Sequence, residues 1–183
     1  MSRLSALARS LPLALVLALP LASTGCAKQM QVDTEVADGQ DFSAYKTYRW
    51  LTDDLVLIQS GTGNPRIRNV ENEERIRAAV ERELEAKGLT KGEGEDAQLV
   101  LAFTVGTKVR YQIQGGATPL NMAAEDPESV TRSTLTLYFF DSASQAQVWS
   151  AWTTKDLEQG ADPDTVINAA VSLLMSEFPP SGS

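Results

Sequence analysis

The sequence predicts an α+β fold, an antiparallel sheet of about five strands with two helices packed on one face, in the order ββαβββα. Three observations predict it. Several separate stretches alternate apolar and polar residues at period two. Two others, around residues 69–87 and 162–178, carry apolar residues at helical spacing. The strand-like stretches between those helices follow one another directly, as in an antiparallel meander.

Each element has its own residues. Met30, Val32, Thr34 and Val36 alternate with Gln31, Asp33 and Glu35 and predict a first strand. After Asp38-Gly39, the aromatic-rich stretch from Phe42 to Trp50 predicts a second, from about Tyr45. Residues 52–68, with Ser60-Gly61, Gly63 and Asn64-Pro65, read mainly as loop. A helix starts at Asn69 or Asn72 and runs to Lys87, with Ile76, Ala79, Val80 and Leu84 as its apolar stripe and Gly88 as its left-handed cap. Lys91 to Glu95 reads as a polar loop. From Ala97 the period becomes two, and Leu99, Leu101, Phe103, Val105, Val109, Tyr111 and Ile113 share one face of a long strand. Residues 115–129 form a loop. Leu135, Leu137 and Phe139 mark a fourth strand, residues 141–145 a turn, and Val148 to about Leu157 a fifth. Asp162 caps the last helix, Pro163 takes its first position, and Val166, Ala169, Ala170, Leu173 and Leu174 form its stripe. Phe178-Pro179-Pro180 ends it.

The N-terminus predicts export. Arg3 and Arg9 precede an apolar run from Leu11 to Leu21, and small residues lead to Cys26. The run falls short of the roughly 20 apolar residues of a spanning helix. Ala22-Ser23-Thr24-Gly25-Cys26 resembles a lipobox with Ser23 where Leu is usual. Cys26 is the only Cys of the chain, placed where lipidation would use it. The organisation expected is a signal peptide over 1–25, a lipidated anchor and short tether over 26–29, one α+β domain over 30–180, and a loose tail over 181–183. Ala27 after the Cys favours the outer membrane, with the domain facing the periplasm. Of 16 basic residues, the signal holds Arg3 and Arg9, so the remainder carries 14 against 24 acids. That balance speaks against nucleic acid and against attraction to anionic lipid, which leaves the acyl group on Cys26 as the membrane contact.

Four stretches together resemble a known family: Phe42 with Tyr45-Lys46-Thr47-Tyr48-Arg49-Trp50; Leu84-Glu85-Ala86-Lys87-Gly88; Leu135 to Asp141 followed by Val148-Trp149; and Phe178-Pro179-Pro180. In order and spacing they look like the bacterial lipoprotein family called domain of unknown function 4136. Ser150-Ala151 stands where that family tends to have Arg-Gly. The resemblance implies a fold and a location and supplies no activity.

Several motifs tempt a catalytic reading. Ser43-Ala44-Tyr45-Lys46 matches a Ser-x-x-Lys signature, but neither Ser-Asp-Asn nor Lys-Thr-Gly accompanies it. Leu55 to Ile58 followed by Gly61-Thr62-Gly63-Asn64-Pro65-Arg66 imitates a phosphate loop, without its third Gly or a Gly-Lys-Ser/Thr. The chain has no His, so no Ser-His or Cys-His pair can form. Two carboxylates about 5–10 Å apart would suffice for a glycosidase, and Asp53, Asp54, Asp141 and Asp156 are the acids to consider. No calcium-loop spacing occurs, and Asp162-Pro163-Asp164 reads as a helix start. No catalytic residue, cofactor or metal is therefore expected. The expected role is a periplasm-facing binding or scaffolding module that contacts an envelope protein or glycan. The alternative is a carboxylate-dependent hydrolase acting on a cell-wall polymer or glycan.

Trp149 and Trp152, three apart on a strand, must point to opposite faces. One belongs in the core and the other on the face without helices. Gln147, Thr153 and Lys155 share the parity of Trp149, and that polar company nominates Trp149 as the exposed contact residue.

Overall fold

The computed structural model describes residues 30–52, 69–112 and 128–179. The elements are β1 (Val32–Val36), β2 (Thr47–Trp50), α1 (Val70–Ala86), β3 (Thr90–Lys91), β4 (Leu99–Gln112), β5 (Glu128–Asp141), β6 (Gln147–Leu157) and α2 (Pro163–Ser176). The strands form one sheet in the order β1-β6-β5-β4-β2-β3. The α+β class holds, with six strands rather than five and a mixed sheet rather than an antiparallel one. β1, β6, β5 and β4 pair antiparallel, whereas β2 lies parallel to both β4 and β3. The parallel step follows from the chain path, since α1 lies between β2 and the strands after it and serves as the crossover that parallel neighbours need. The sixth strand is Thr90–Lys91, at the start of the stretch expected as polar loop. Its pairing is fixed by Thr90 N donating to Lys46 O at 2.9 Å and Gly92 N to Tyr48 O at 2.8 Å.

Local chemistry sets the helix ends. The Asn69 side chain accepts from Asn72 N at 2.7 Å, and that of Asp162 from Thr165 N at 2.9 Å. Each satisfies one of the N–H groups that a helix start leaves without an intrahelical partner. Gly88, with φ +84°, ends α1 in the left-handed region and lets Leu89 N donate back to Leu84 O at 3.0 Å. Phe42–Ala44 forms a 3-10 turn capped by Asp41, so the second strand begins at Thr47 and not at Tyr45. β5 begins at Glu128, inside the expected loop. Its Ser- and Thr-rich first half gives no contrast between faces for a period to show.

The core lies between the helices and one face of the sheet. Tyr48 and Trp50 of β2, Leu99 and Leu101 of β4, Leu135, Leu137 and Phe139 of β5, and Trp149 and Ala151 of β6 meet Ile76, Ala79, Val80 and Leu84 of α1. From α2 come Ala170, Val171, Leu174 and Met175. The stripe of α2 is thus turned about one residue from the expected one, leaving Ala169 exposed. Phe178, beyond the helix, stacks edge-on against Phe139 (4.8 Å), Trp149 (5.2 Å) and Phe42 (5.7 Å) and closes one end of the core.

The two layers differ in length. β4 and β5 have 14 residues each, about 46 Å at the rise of an extended chain. α1 has 17 and α2 has 14, about 25 and 21 Å at the helical rise. The helices therefore cover only part of the sheet, and its far end overhangs them. Val109, on the same face of β4 as Leu99 and Leu101, is 43% exposed there.

Candidate functional site

Where the helix layer stops, a cavity of about 540 Å³ opens between sheet and helices. Its floor is the inner face of three neighbouring strands: Val105, then Thr131, Ser133 and Leu135, then Thr153, Lys155 and Leu157. These stand in register, Val105 opposite Leu135, Leu135 opposite Thr153, and Ser133 opposite Lys155. The opposite wall is the start of both helices, Asn72 and Ile76 from α1 with Val166, Ile167 and Ala170 from α2. The turn Glu158–Ala161 and Met30 complete the rim. Arg75 ties the two helix starts together: its guanidinium contacts Glu71 at 2.7 Å and Asp164 at 2.9 Å, and donates to Asn72 Oδ1 at 2.9 Å.

The polar groups of this floor fall into two kinds. Thr153 is 3% exposed, and its hydroxyl donates to Gln31 O at 2.7 Å, which satisfies it inside the core. Lys155 is half-buried on the same inward face, and no carboxylate of the described residues lies within ion-pair distance of it. A cavity of this size, mostly apolar with few polar groups, has the composition of a small-molecule site, typically about 300–1,000 Å³.

A second hollow, about 810 Å³, lies at the opposite end of β5, around Tyr45, Arg49, Gln98 and Asp141. Its polar groups are largely occupied with one another. The Tyr45 hydroxyl donates to Asp141 Oδ2 at 3.0 Å and accepts from Gln40 Nε2 at 2.8 Å. Gln98 Oε1 accepts from Lys46 N at 2.7 Å, and its Nε2 donates to Ala44 O at 3.1 Å. Burial, with the Asp141 carboxylate beside it, pushes the Tyr45 phenol up to about 12. Hydrogen bonds from the Ser144 hydroxyl and backbone N–H hold Asp141 below the usual carboxylate range. These contacts fasten the 3-10 turn and the β5–β6 turn to the sheet, so the smaller, more apolar cavity is the better candidate.

The residues nominated from sequence land as follows. Trp149 is 0% exposed and packs at 4.7 Å on Phe139, so it is a core residue and not a contact surface. Part of the physical reason is a β-bulge, the rest being that Thr153 and Lys155 are polar on the inward face, where they line the cavity. Phe139 faces Trp149 while Phe140 faces Gln147, which puts Gln147 on the helix-free face and Val148 in the core. The indole on the helix-free face is Trp152, half-buried between Asp33 of β1 and Thr136 of β5. Tyr138 and Phe140 stack on that same face at 6.4 Å.

Asp156 is held by Arg132 through contacts of 2.5 and 2.8 Å. Arg132 and Asp141 are nine residues apart on one strand, about 30 Å at the extended rise. Asp141 and Asp156 are therefore not a catalytic pair. Ser43 lies within the capped 3-10 turn, its N donating to Asp41 Oδ1 at 2.9 Å, and Lys46 follows the turn, exposed. Cys26, Asp53, Asp54 and the glycine-rich stretch 61–66 lie outside the described residues. Among the described residues, no group of three or more acidic, Cys or His side chains could hold a metal, and no helix is long and apolar enough to cross a membrane.

The cavity was not anticipated from sequence. Its one legible sign is Lys155, a charge at the same strand parity as Trp149, Ala151 and Thr153.

Solved structures share the fold. A DUF4136 family protein from Bacteroides thetaiotaomicron is 17% identical, with a TM-score of 0.55 over 83% of this chain and 97% of that one. A PDZ domain protein from Parabacteroides distasonis is 19% identical, with a TM-score of 0.54 over 82% of this chain and 36% of that one, so the chain spans about a third of that protein's length. At these identities the likeness concerns the fold alone. No curated protein matches the sequence. Residues 32–180 match the family described as Domain of unknown function (DUF4136), and the chain belongs to that family.

Proposed function

We propose that the protein is a lipid-anchored envelope binding module that holds a small, largely apolar molecule between its helices and the overhanging end of its sheet. The observation that carries this reading is the cavity itself. Three strands extend their inner faces past the helix starts, and the side chains there make a floor and wall instead of filling the space. Val105, Leu135 and Leu157 of the strands and Val166 and Ile167 of α2 give the space an apolar side, set among the polar Thr131, Ser133, Thr153 and Lys155. Acylation at Cys26 supplies the membrane contact in this reading, with the domain on the periplasmic side of the outer membrane. β1 begins at Val32, six residues after that Cys, so the cavity would work close to the bilayer.

The test uses an uncharged apolar fluorophore, N-phenyl-1-naphthylamine, whose emission rises in apolar surroundings. It is titrated into the full chain carrying Cys26→Ser, which has no acyl group of its own to compete. The expected result is saturable binding at about one site per chain. Val166→Trp, which places an indole in the cavity, should weaken it about tenfold or more, a loss of about 1.4 kcal/mol. Binding that never saturates, or that Val166→Trp leaves unchanged while the variant keeps its circular dichroism, would contradict the proposal.

A further inference from the structure

The cavity contains a charge that the fold does not use. Strand residues facing a helix layer are normally apolar, and Lys is rarely turned inward without a partner. Lys155 breaks that pattern. It stands opposite Ser133 on β5, in the row next to the buried pair Leu135 and Thr153, and it lines the cavity. Several lysines and arginines of the described residues have carboxylate partners. Lys91 pairs with Glu81 at 2.7 Å, Arg75 with Glu71 and Asp164, Arg77 with Glu73 at 3.5 Å, and Arg132 with Asp156. Lys155 has no such carboxylate among the described residues. Glu158, on the rim of the same cavity, is exposed to water and outside ion-pair distance.

From this arrangement we infer that the cavity takes a single-chain anionic amphiphile, with its carboxylate at Lys155 and its hydrocarbon against the apolar wall. The inference rests on the cavity being a binding site and adds which class of molecule enters it. The chemistry of the two ends fits. Leu135, Leu157, Val166, Ile167 and Ala170 offer a hydrocarbon surface, while Thr131 and Ser133, the latter opposite Lys155 in the ladder, add hydroxyls to the same lining. A carboxylate brought to Lys155 gains a charge-assisted hydrogen bond in a site partly withdrawn from water, where such bonds are stronger than in bulk solvent. A neutral head gains less, and an ammonium head meets like charge. The protein's net charge of −8 would slow the approach of anions at low salt. Selectivity would therefore come from Lys155 itself and not from the surface field. A hydrophobic tail compensates for that unfavourable field, which is why a small polar anion alone is not the expected ligand.

The experiment compares three twelve-carbon competitors, dodecanoate, 1-dodecanol and dodecylammonium, in displacing N-phenyl-1-naphthylamine from the full chain carrying Cys26→Ser. Dodecanoate is expected to bind about tenfold more tightly than 1-dodecanol, with dodecylammonium weakest. In Lys155→Met the ratio of dodecanoate to dodecanol should fall to about one, and Lys155→Glu should rank dodecylammonium first. Equal affinities for dodecanoate and dodecanol in the chain with Lys155 present would overturn the inference. So would a preference for dodecanoate that survives Lys155→Met. Either result leaves the binding site standing if the fluorophore itself still binds saturably, whereas a fluorophore that fails to bind removes the site and the inference together. Acetate added in place of dodecanoate separates head from tail: displacement by acetate at the same concentration would mean an anion site without an amphiphile, which also overturns the inference.

Discussion

Trp149→Ala is expected to lower the free energy of unfolding by about 3 to 5 kcal/mol, while Trp152→Ala lowers it by about 1 kcal/mol or less. Trp149 is 0% exposed and is held by Phe139 and Phe178 from different parts of the chain, with ring centroids at 4.7 and 5.2 Å. Truncation would remove an entire indole from between β6 and the segment after α2, and the strands on either side are fixed by their ladder, so the gap cannot close fully. Trp152 sits on the helix-free face and loses only partial burial. Domains of this size have a total stability of about 5–15 kcal/mol, so the first loss threatens the fold and the second does not. Trp149→Phe refines the test. The indole N–H of Trp149 has no hydrogen-bond partner, so Phe keeps the aromatic contacts and removes an unsatisfied donor, at an expected cost of about 1–2 kcal/mol. Urea denaturation of the three variants measures all of this. A Trp152→Ala loss as large as that of Trp149→Ala would mean that the two faces of β6 are assigned the wrong way round.

The same residues show how far the sequence was legible. The opposite orientation of the two indoles follows from strand alternation and holds. Which indole is inward does not follow, because alternation assumes an unbroken ladder. The bulge at Val148 shifts Gln147 to the other face, which removes one of the three polar residues that seemed to accompany Trp149 outward. The remaining two, Thr153 and Lys155, do share its face. They are polar because the inner face runs past the helices, one tied to Gln31 O and the other lining the cavity. Helix ends were readable from Asn69, Gly88, Asp162 and Pro163, since caps act through side chains next to them in sequence. The parallel pairing of β2 with β4 is set by a crossover through α1, and two-residue β3 is too short to show a period. Neither leaves a local signature. The cavity is harder still, since it arises from the difference in length between strands of 14 residues and the helices laid on them.

Cys26→Ser is expected to abolish incorporation of labelled fatty acid completely and to move the protein from the membrane fraction to the soluble one. The apolar run from Leu11 to Leu21 is too short to remain as a span, and no described helix can replace it. The anchor would then be acyl chains alone, each buried methylene contributing about 0.8 kcal/mol, with two or more chains making the attachment stable. Removing the sulfur that carries them removes all of it, whereas the fold of residues 30–179, which has no disulfide to lose, should melt as before. Label retained on Cys26→Ser, or membrane association unchanged in that variant, would contradict lipidation at this residue.

The central claim, that binding occurs between the helices and the overhanging sheet, is tested most directly by backbone amide chemical shifts of the full chain carrying Cys26→Ser, recorded as dodecanoate is added. Binding in the cavity predicts saturable shifts at Ser133, Leu135, Lys155, Leu157, Val166 and Ile167, the strand and helix residues that line it. Amides of Thr136, Tyr138 and Trp152, whose side chains point to the other face, should move less. Shifts concentrated at those three residues and absent from Ser133, Lys155 and Val166 would place the binding surface on the helix-free face and contradict the account.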